Sequence, residues 1–270
     1  MKLNAIAVAA VAGLASASPV EPRQNGGGDG PYGPGTYKTE SSLQQHTIYM
    51  PSKAGDTKLP VLVWGNGACS ADGRSNQQLL QQIASHGYLA ISSGGPGQQG
   101  STTAKMMTDS IDWAVANAGK GAYANVDASK IMAAGFSCGG VEAYAQIWDS
   151  RVSTVGIFSS GLLDNQTAAT HFNKPILYVL GGQSDIAYAN GERDYKNLPA
   201  NTPAWKGNIN VGHGGTLGDQ NGGRFGKVGL NWLQYVFRGD ANAKAYLTGG
   251  YKADGWAVET HAFDQLKPKV

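Results

Sequence analysis

The sequence predicts an α/β fold, with a mainly parallel, twisted sheet and helices on both faces. Three observations carry that expectation. Short unbroken apolar runs such as Val61-Leu62-Val63-Trp64 and Ile176-Leu177-Tyr178-Val179-Leu180 have the length of buried strands. Longer segments with apolar residues three and four apart alternate with them. Glycine and proline clusters punctuate each change of period, as the connections of such a sheet require.

Taken in order, the Val61–Trp64 strand ends at Gly65-Asn66-Gly67. A helix from Asn76 to His86 places Leu79, Leu80 and Ile83 on one face and stops at Gly87. Tyr88 to Ser92 is the next strand, followed by a turn through Gly94, Gly95, Pro96 and Gly97. Thr102 or Thr103 is placed to cap a helix carrying Met107, Ile111, Ala114, Val115 and Ala118. Ile131 to Ala134 reads as a strand, Val141 to Trp148 as a helix, and Val155 to Phe158 as a further strand before Ile176–Leu180. Val228, Trp232, Leu233, Val236 and Phe237 form a last helical stripe. No interior linker and no 20–50-residue repeat interrupts the pattern, so residues 37–270 are expected to form one domain.

Composition narrows the function classes. Of 270 residues, 41% are hydrophobic and 15% charged, which permits a sizeable core under a surface of small polar residues. A net charge of +2 excludes a strongly basic nucleic-acid binder, and no block of like charges points to a membrane patch. The 39 glycines follow no triplet period, excluding collagen, and two cysteines are too few for a disulfide scaffold or a cysteine-built zinc site. No histidine or carboxylate cluster has metal-ligand spacing, so neither a metal nor an organic cofactor is expected.

The amino terminus reads as an address. Met1-Lys2 is followed by the small apolar run Ala5 to Leu14 and by Ala15-Ser16-Ala17, the pattern of a secretory signal cleaved before Ser18. That run is shorter than the roughly 20 apolar residues a bilayer span needs. Residues 18–36 are rich in glycine and proline and are expected to extend flexibly over the surface, with Arg23 as a point for propeptide cleavage. Secretion into an oxidising compartment predicts a Cys69–Cys138 bridge. Asn165-Gln166-Thr167 is a glycosylation sequon on the same export route.

The chemistry concentrates at Gly135-Phe136-Ser137-Cys138-Gly139, a G-x-S-x-G pattern between a predicted strand and a predicted helix. That context is what a nucleophile elbow needs, with Ser137 lifted off the sheet edge on a tight turn. A serine at its free pKa is a poor nucleophile and requires a base oriented by an acid. The expected chain order is serine, acid, histidine. Of five histidines, His46, His86 and His171 come too early, which leaves His213 and His261. His213 sits in the flexible Gly212-His213-Gly214-Gly215 loop and is favoured over His261 in the tail. Asp185, just past the Ile176–Leu180 strand, is the favoured acid; Glu192 and Asp194 are competitors expected in water, and Asp164 is a weaker one. Oxyanion donors are expected from the backbone of Cys138 and from Ala68 or Cys69 after the Val61–Trp64 strand. Trp148, Trp205 and Trp256 are expected in packing roles, and Tyr188 and Tyr195 in packing or at the pocket.

With these residues in place, the chain resembles the secreted cutinase and polyester hydrolase family of α/β hydrolases, particularly its actinobacterial branch. The likeness runs from about Tyr49 to Leu247 and includes Ile83-Ala84-Ser85-His86-Gly87-Tyr88, Val126-Asp127-Ala128-Ser129-Lys130-Ile131, and the stripe from Trp232 to Phe237 followed by Asp240, Tyr246 and Leu247. The resemblance implies an α/β-hydrolase fold with Ser137 as nucleophile, Asp185 as acid and His213 as base. It also implies oxyanion donors near Cys69 and at Cys138. The chain departs from the family at Phe136, where His or Trp is usual, and at Cys138, where Met is usual. Ala68-Cys69 replaces an aromatic, Gly161-Leu162-Leu163 replaces a segment with Trp, and the tail lacks a cystine. Losing an aromatic clamp removes about 0.5–1.5 kcal/mol of stacking and implies a narrower substrate set.

The expectation is therefore a secreted, cofactor-independent serine carboxylic-ester hydrolase working through an acyl-enzyme. It would act as a monomer on an ester substrate, polymeric or not, with no nucleic-acid or membrane partner. The alternatives are a cell-wall polysaccharide esterase for acetyl or feruloyl groups and a non-catalytic binding protein on the same fold.

Overall fold

The computed structural model describes residues 26–164 and 166–270. The expected signal segment 1–17, Arg23 and the sequon residue Asn165 lie outside the described residues. Nine strands form one mixed sheet: β1 (Gly35–Glu40), β2 (Leu43–Pro51), β3 (Leu59–Gly65), β4 (Leu89–Ser93), β5 (Val126–Phe136), β6 (Val152–Phe158), β7 (Ile176–Leu180), β8 (Ala204–Asn208) and β9 (Ala257–His261). Their order is β1-β2-β4-β3-β5-β6-β7-β8-β9. The six strands from β4 to β8 run parallel, while β1, β2 and β9 close the edges in antiparallel pairs. The helices are α1 (Gln77–Ser85), α2 (Ala104–Asn117), α3 (Cys138–Tyr144), α4 (Tyr188–Lys196), α5 (Gly223–Arg238) and α6 (Ala241–Thr248). The architecture is that of an α/β-hydrolase-like fold.

Parallel strands covered on both faces bury their side chains, which is why β3 and β7 read as unbroken apolar runs. Along β3 and β5 the pairs Val61↔Ile131 and Val63↔Ala133 face one layer, while Leu62↔Met132 and Trp64↔Ala134 face the other. The first layer is completed by Met107 and Ile111 of α2 and Ala143 of α3, the second by Leu79, Leu80 and Ile83 of α1 and the α5 stripe. Each large apolar side chain buried in this way contributes about 1.5–3 kcal/mol. Trp232 of α5 also satisfies its indole N–H, which donates to Thr154 Oγ1 on β6 at 2.9 Å.

Several expectations are corrected. Residues 26–36 are not a loose surface strand: Gly27 and Gly35 form a bridge, and the Tyr32 N–H donates to Ser85 O of α1. A Cβ on Gly35 would lie 2.3 Å from Gln81 O, so only glycine permits that approach. Thr103 occupies the N-cap position of α2 without a side-chain cap hydrogen bond, and the Thr102 hydroxyl, the other candidate, donates to Glu142. Helix α3 starts at Cys138, earlier than its apolar stripe, and finishes as a 3₁₀ turn over Ala145–Trp148. Trp205 and Trp256 are buried together with ring centroids 6.2 Å apart, but Trp148 is 65% exposed. Among the described residues no helix is long and apolar enough to cross a membrane.

Candidate active site

Ser137 stands alone between the end of β5 and the start of α3, with φ 52° and ψ −118°. A non-glycine residue held at such angles costs about 1–3 kcal/mol and persists only where its surroundings over-determine it. Here the Ser137 N–H donates to Phe158 O at 2.9 Å, and its carbonyl accepts from Ser160 Oγ at 2.7 Å. The flanking glycines supply clearance. A Cβ on Gly139 would lie 2.0 Å from the Gly65 carbonyl carbon, and one on Gly135 would lie 2.2 Å from Gly139 O. The first turn of α3 therefore rests backbone to backbone on the end of β3.

His213 lies on the connection after β8. The Val211 and Gly212 N–H groups both donate to Gly181 O, at 3.0 and 2.8 Å, folding that connection onto the end of β7. Gly212 and Gly214, at φ 77° and 92°, bend the chain on either side of the imidazole. The ring meets Ser137 Oγ through Nε2 at 2.9 Å and Asp185 Oδ1 through Nδ1 at 2.6 Å. Phe136 packs beside it with ring centroids 5.1 Å apart.

Asp185 follows β7 and its side chain is wholly shielded from solvent. Burial works against its ionisation. That penalty is outweighed by the Ala187 N–H at 2.9 Å, the His213 ring, the nearby Ser159 hydroxyl and the Gly181 N–H at 3.1 Å, so its pKa lies below the ordinary carboxylate value. Ser159 Oγ itself is buried and lacks a well-formed hydrogen bond, so its contribution is one of proximity. An ionised Asp185 holds the imidazole proton on Nδ1 and leaves Nε2 free to accept from the serine.

The competing residues are engaged elsewhere. Glu192 pairs with Lys206, and His261 of β9 contacts Thr202 O at 2.8 Å. Asp164 is exposed. Asp194, expected in water, is fully buried because it accepts from Tyr144 OH at 2.9 Å and from the Leu162 N–H at 2.6 Å, and pairs with Arg193. Tyr195 packs against Tyr178, and Tyr188 borders a different cleft.

Facing the elbow, a 3₁₀ turn over Gly67–Cys69 carries Ala68 at φ 53° and Cys69 at φ 48°. Cys69 is joined to Cys138 by a disulfide, with Cα atoms 5.2 Å apart. Asn66 stands beneath, fully buried, with Nδ2 donating to the carbonyls of Ser70, Asp72 and Ser93. Nothing local in the sequence marks this clamp, since an Asn between two glycines looks like any turn.

A cleft of about 500 Å³ opens over these groups and contains Ser137, His213, Cys69 and Cys138. Its walls are mostly apolar, with Val141 and Ala145 on one side and Leu163 and Ile186 on the other. Leu163 and Ile186 are 61% and 82% exposed at its rim. A recess of about 580 Å³ between the β1–β2 turn and α2 contains none of the three hydrogen-bonded residues. Among the described residues no group of three His, Cys, Asp or Glu side chains could hold a metal ion. No protein-family model matches the chain, and no curated protein matches it at a significant level of similarity. The molecule is thus defined by its α/β-hydrolase-like fold and by the Ser137–His213–Asp185 constellation at the carboxyl ends of its strands.

Proposed function

We propose that this protein is a secreted serine hydrolase of carboxylic esters, similar to the cutinase-like enzymes. The observation that carries the reading is the continuous hydrogen-bonded line from Ser137 Oγ through His213 to Asp185, at 2.9 and 2.6 Å. His213 Nε2 takes the serine proton as Oγ attacks the ester carbonyl. The tetrahedral oxyanion is received by the Cys138 N–H and by the Ala68 or Cys69 N–H. Collapse expels the alcohol, to which His213 returns the proton, and leaves an acyl-serine. Water then gives a proton to His213, attacks the acyl carbonyl and releases the acid as the proton returns to Ser137. Export is supported by the amino-terminal sequence pattern and by the disulfide.

The apolar walls favour a hydrocarbon acyl group over a sugar at the reacting end. A fluorophosphonate probe should label Ser137, and p-nitrophenyl esters with acyl chains of several carbons should turn over faster than methyl ferulate or acetylated xylan. Folded protein that the probe does not label would remove the serine-hydrolase reading. Preference for ferulate or xylan would instead turn it toward the cell-wall esterase.

The disulfide ties the two expected donor segments together across a sequence separation of 69 residues. Its removal is expected to cost about 4 kcal/mol on the chain-entropy account. At temperatures where circular dichroism stays native, reductant should lower kcat before any unfolding. A rate that declines only in step with the fold would show that the bridge serves stability alone.

A further inference from the structure

Glu142 is the one acidic residue of α3, and it is 6% exposed. It lies one helical turn beyond Cys138 in the wall of the cleft. Its Oε1 accepts from Thr102 Oγ1 at 2.8 Å, while Oε2 is buried with no hydrogen-bond partner. Burial raises its pKa, and the Thr102 hydrogen bond only partly opposes this. An acid buried with one oxygen unpaired costs stability, which raises the question of what use its position has.

The use is visible on the far side of Thr102. Its N–H donates to Cys69 O at 2.7 Å, Ala71 N–H donates to Gly100 O at 3.1 Å, and Ser70 and Ser101 form a bridge. The 100–102 segment is thus a short splint along the outer side of the Cys69 turn. Glu142 holds the splint to α3, and Gln146, four residues on, holds the start of α2 through Ala104 O at 2.9 Å. Within the cleft, the expected oxyanion donors lie at the two ends of one short chain of contacts: Cys138 on α3, Glu142, Thr102, then Cys69.

We propose that Glu142 is a positioning residue for the oxyanion site, setting the Cys69 turn against the first turn of α3 through the Thr102 hydroxyl and backbone. It rests on the serine-hydrolase reading and adds a residue outside the triad that acts through Thr102. The disulfide fixes the separation of the two segments, and the Glu142–Thr102 contact fixes their angle.

The test compares Glu142→Ala, Glu142→Gln, Thr102→Val and the Ala/Val double variant of the full secreted chain, using a p-nitrophenyl ester and thermal unfolding. Losing an oxyanion donor outright costs about 10²–10³ in kcat, so misplacing one should lower kcat roughly ten-fold or more in Glu142→Ala, with KM within about three-fold. Glu142→Gln keeps an oxygen acceptor for Thr102 and should recover most of the rate. Thr102→Val should match Glu142→Ala, and the double variant should be no slower than the worse single, as expected for residues acting through one contact. Unchanged kcat with a lowered Tm, or losses that multiply in the double variant, would overturn the proposal. If Glu142→Ala does not fold, Thr102→Val and Glu142→Gln decide the matter by the same criteria. Wild-type protein whose turnover does not depend on Ser137 would be a different failure, that of the serine-hydrolase reading itself.

Discussion

Replacing Ser137 by alanine should lower kcat by about 10⁶, the scale on which serine hydrolases lose rate when their nucleophile is removed. The fold should be left standing. The bonds that hold the elbow, from the Ser137 N–H to Phe158 O and from Ser160 Oγ to Ser137 O, do not involve the Ser137 hydroxyl. Only the contact with His213 Nε2 is lost, which limits the change in stability to about 1 kcal/mol. The measurement is ester turnover beside a thermal melt of the same preparation. Residual turnover of more than about one hundredth of wild type, on a scale where full loss is about 10⁶, would assign the attack to another group.

Asp185→Asn should lower kcat by about 10⁴, because it changes which imidazole nitrogen carries the proton. The surroundings of this carboxylate make the argument specific. Oδ1 faces His213 Nδ1 and the Ala187 N–H, and Oδ2 faces the Gly181 N–H. An amide has one donor end, so either orientation sets its NH₂ against a backbone N–H. With NH₂ at the Oδ1 position, it also drives the proton from Nδ1 to Nε2 and removes the base. A buried donor left without an acceptor costs about 1–3 kcal/mol, so this variant should also melt earlier. The pH dependence has a definite sign. Because the pKa of Asp185 is depressed in the folded protein, its ionised form stabilises the fold above the ordinary carboxylate range, and that contribution disappears as pH falls through the depressed value. The Tm gap between wild type and Asp185→Asn should therefore narrow on acidification. A gap that widens toward acid pH would contradict the assigned environment.

The central sheet was legible because β3, β4 and β7 are buried throughout, β3 and β7 carrying almost nothing but apolar side chains and β4 opening on Leu-Ala-Ile. Strand β8 was not, since it reads Ala-Trp-Lys-Gly-Asn and its lysine is an unlikely core residue. Lys206 is nevertheless fully buried, paired with Glu192 of α4 and Glu259 of β9, and those partners are invisible locally. The antiparallel edges gave no clean period: β1 and β2 mix exposed and buried positions, and no residue of β9 is buried. At the site, a local motif selected Ser137, chain order reduced the histidines to His213 and His261, and loop position then favoured His213 and Asp185, which the structure brings within hydrogen-bond distance of one another. Asp194 misled for the opposite reason: its charged neighbours Glu192 and Arg193 look like a solvated face, whereas Tyr144 and Leu162, more than 30 residues away, draw it inside. Asn66 and Glu142 carried no signal of their roles, because Asn66 ties its own turn to Ser92 and Ser93, 26 and 27 residues distant, and Glu142 meets Thr102 across 40 residues, while Thr102 read only as a candidate helix cap.

The Cys69–Cys138 bond also bears on the order of events during biosynthesis. Cys69 closes the turn after β3, but its partner follows β5, which must first pair alongside β3 in parallel register from Val61↔Ile131 to Gly65↔Gly135. The two sulfurs meet only when that pairing has run to its carboxyl end. On the proposed export route, oxidation would thus act as a stamp on chains whose central sheet has zipped, and quenching free thiols at intervals after synthesis would time that step.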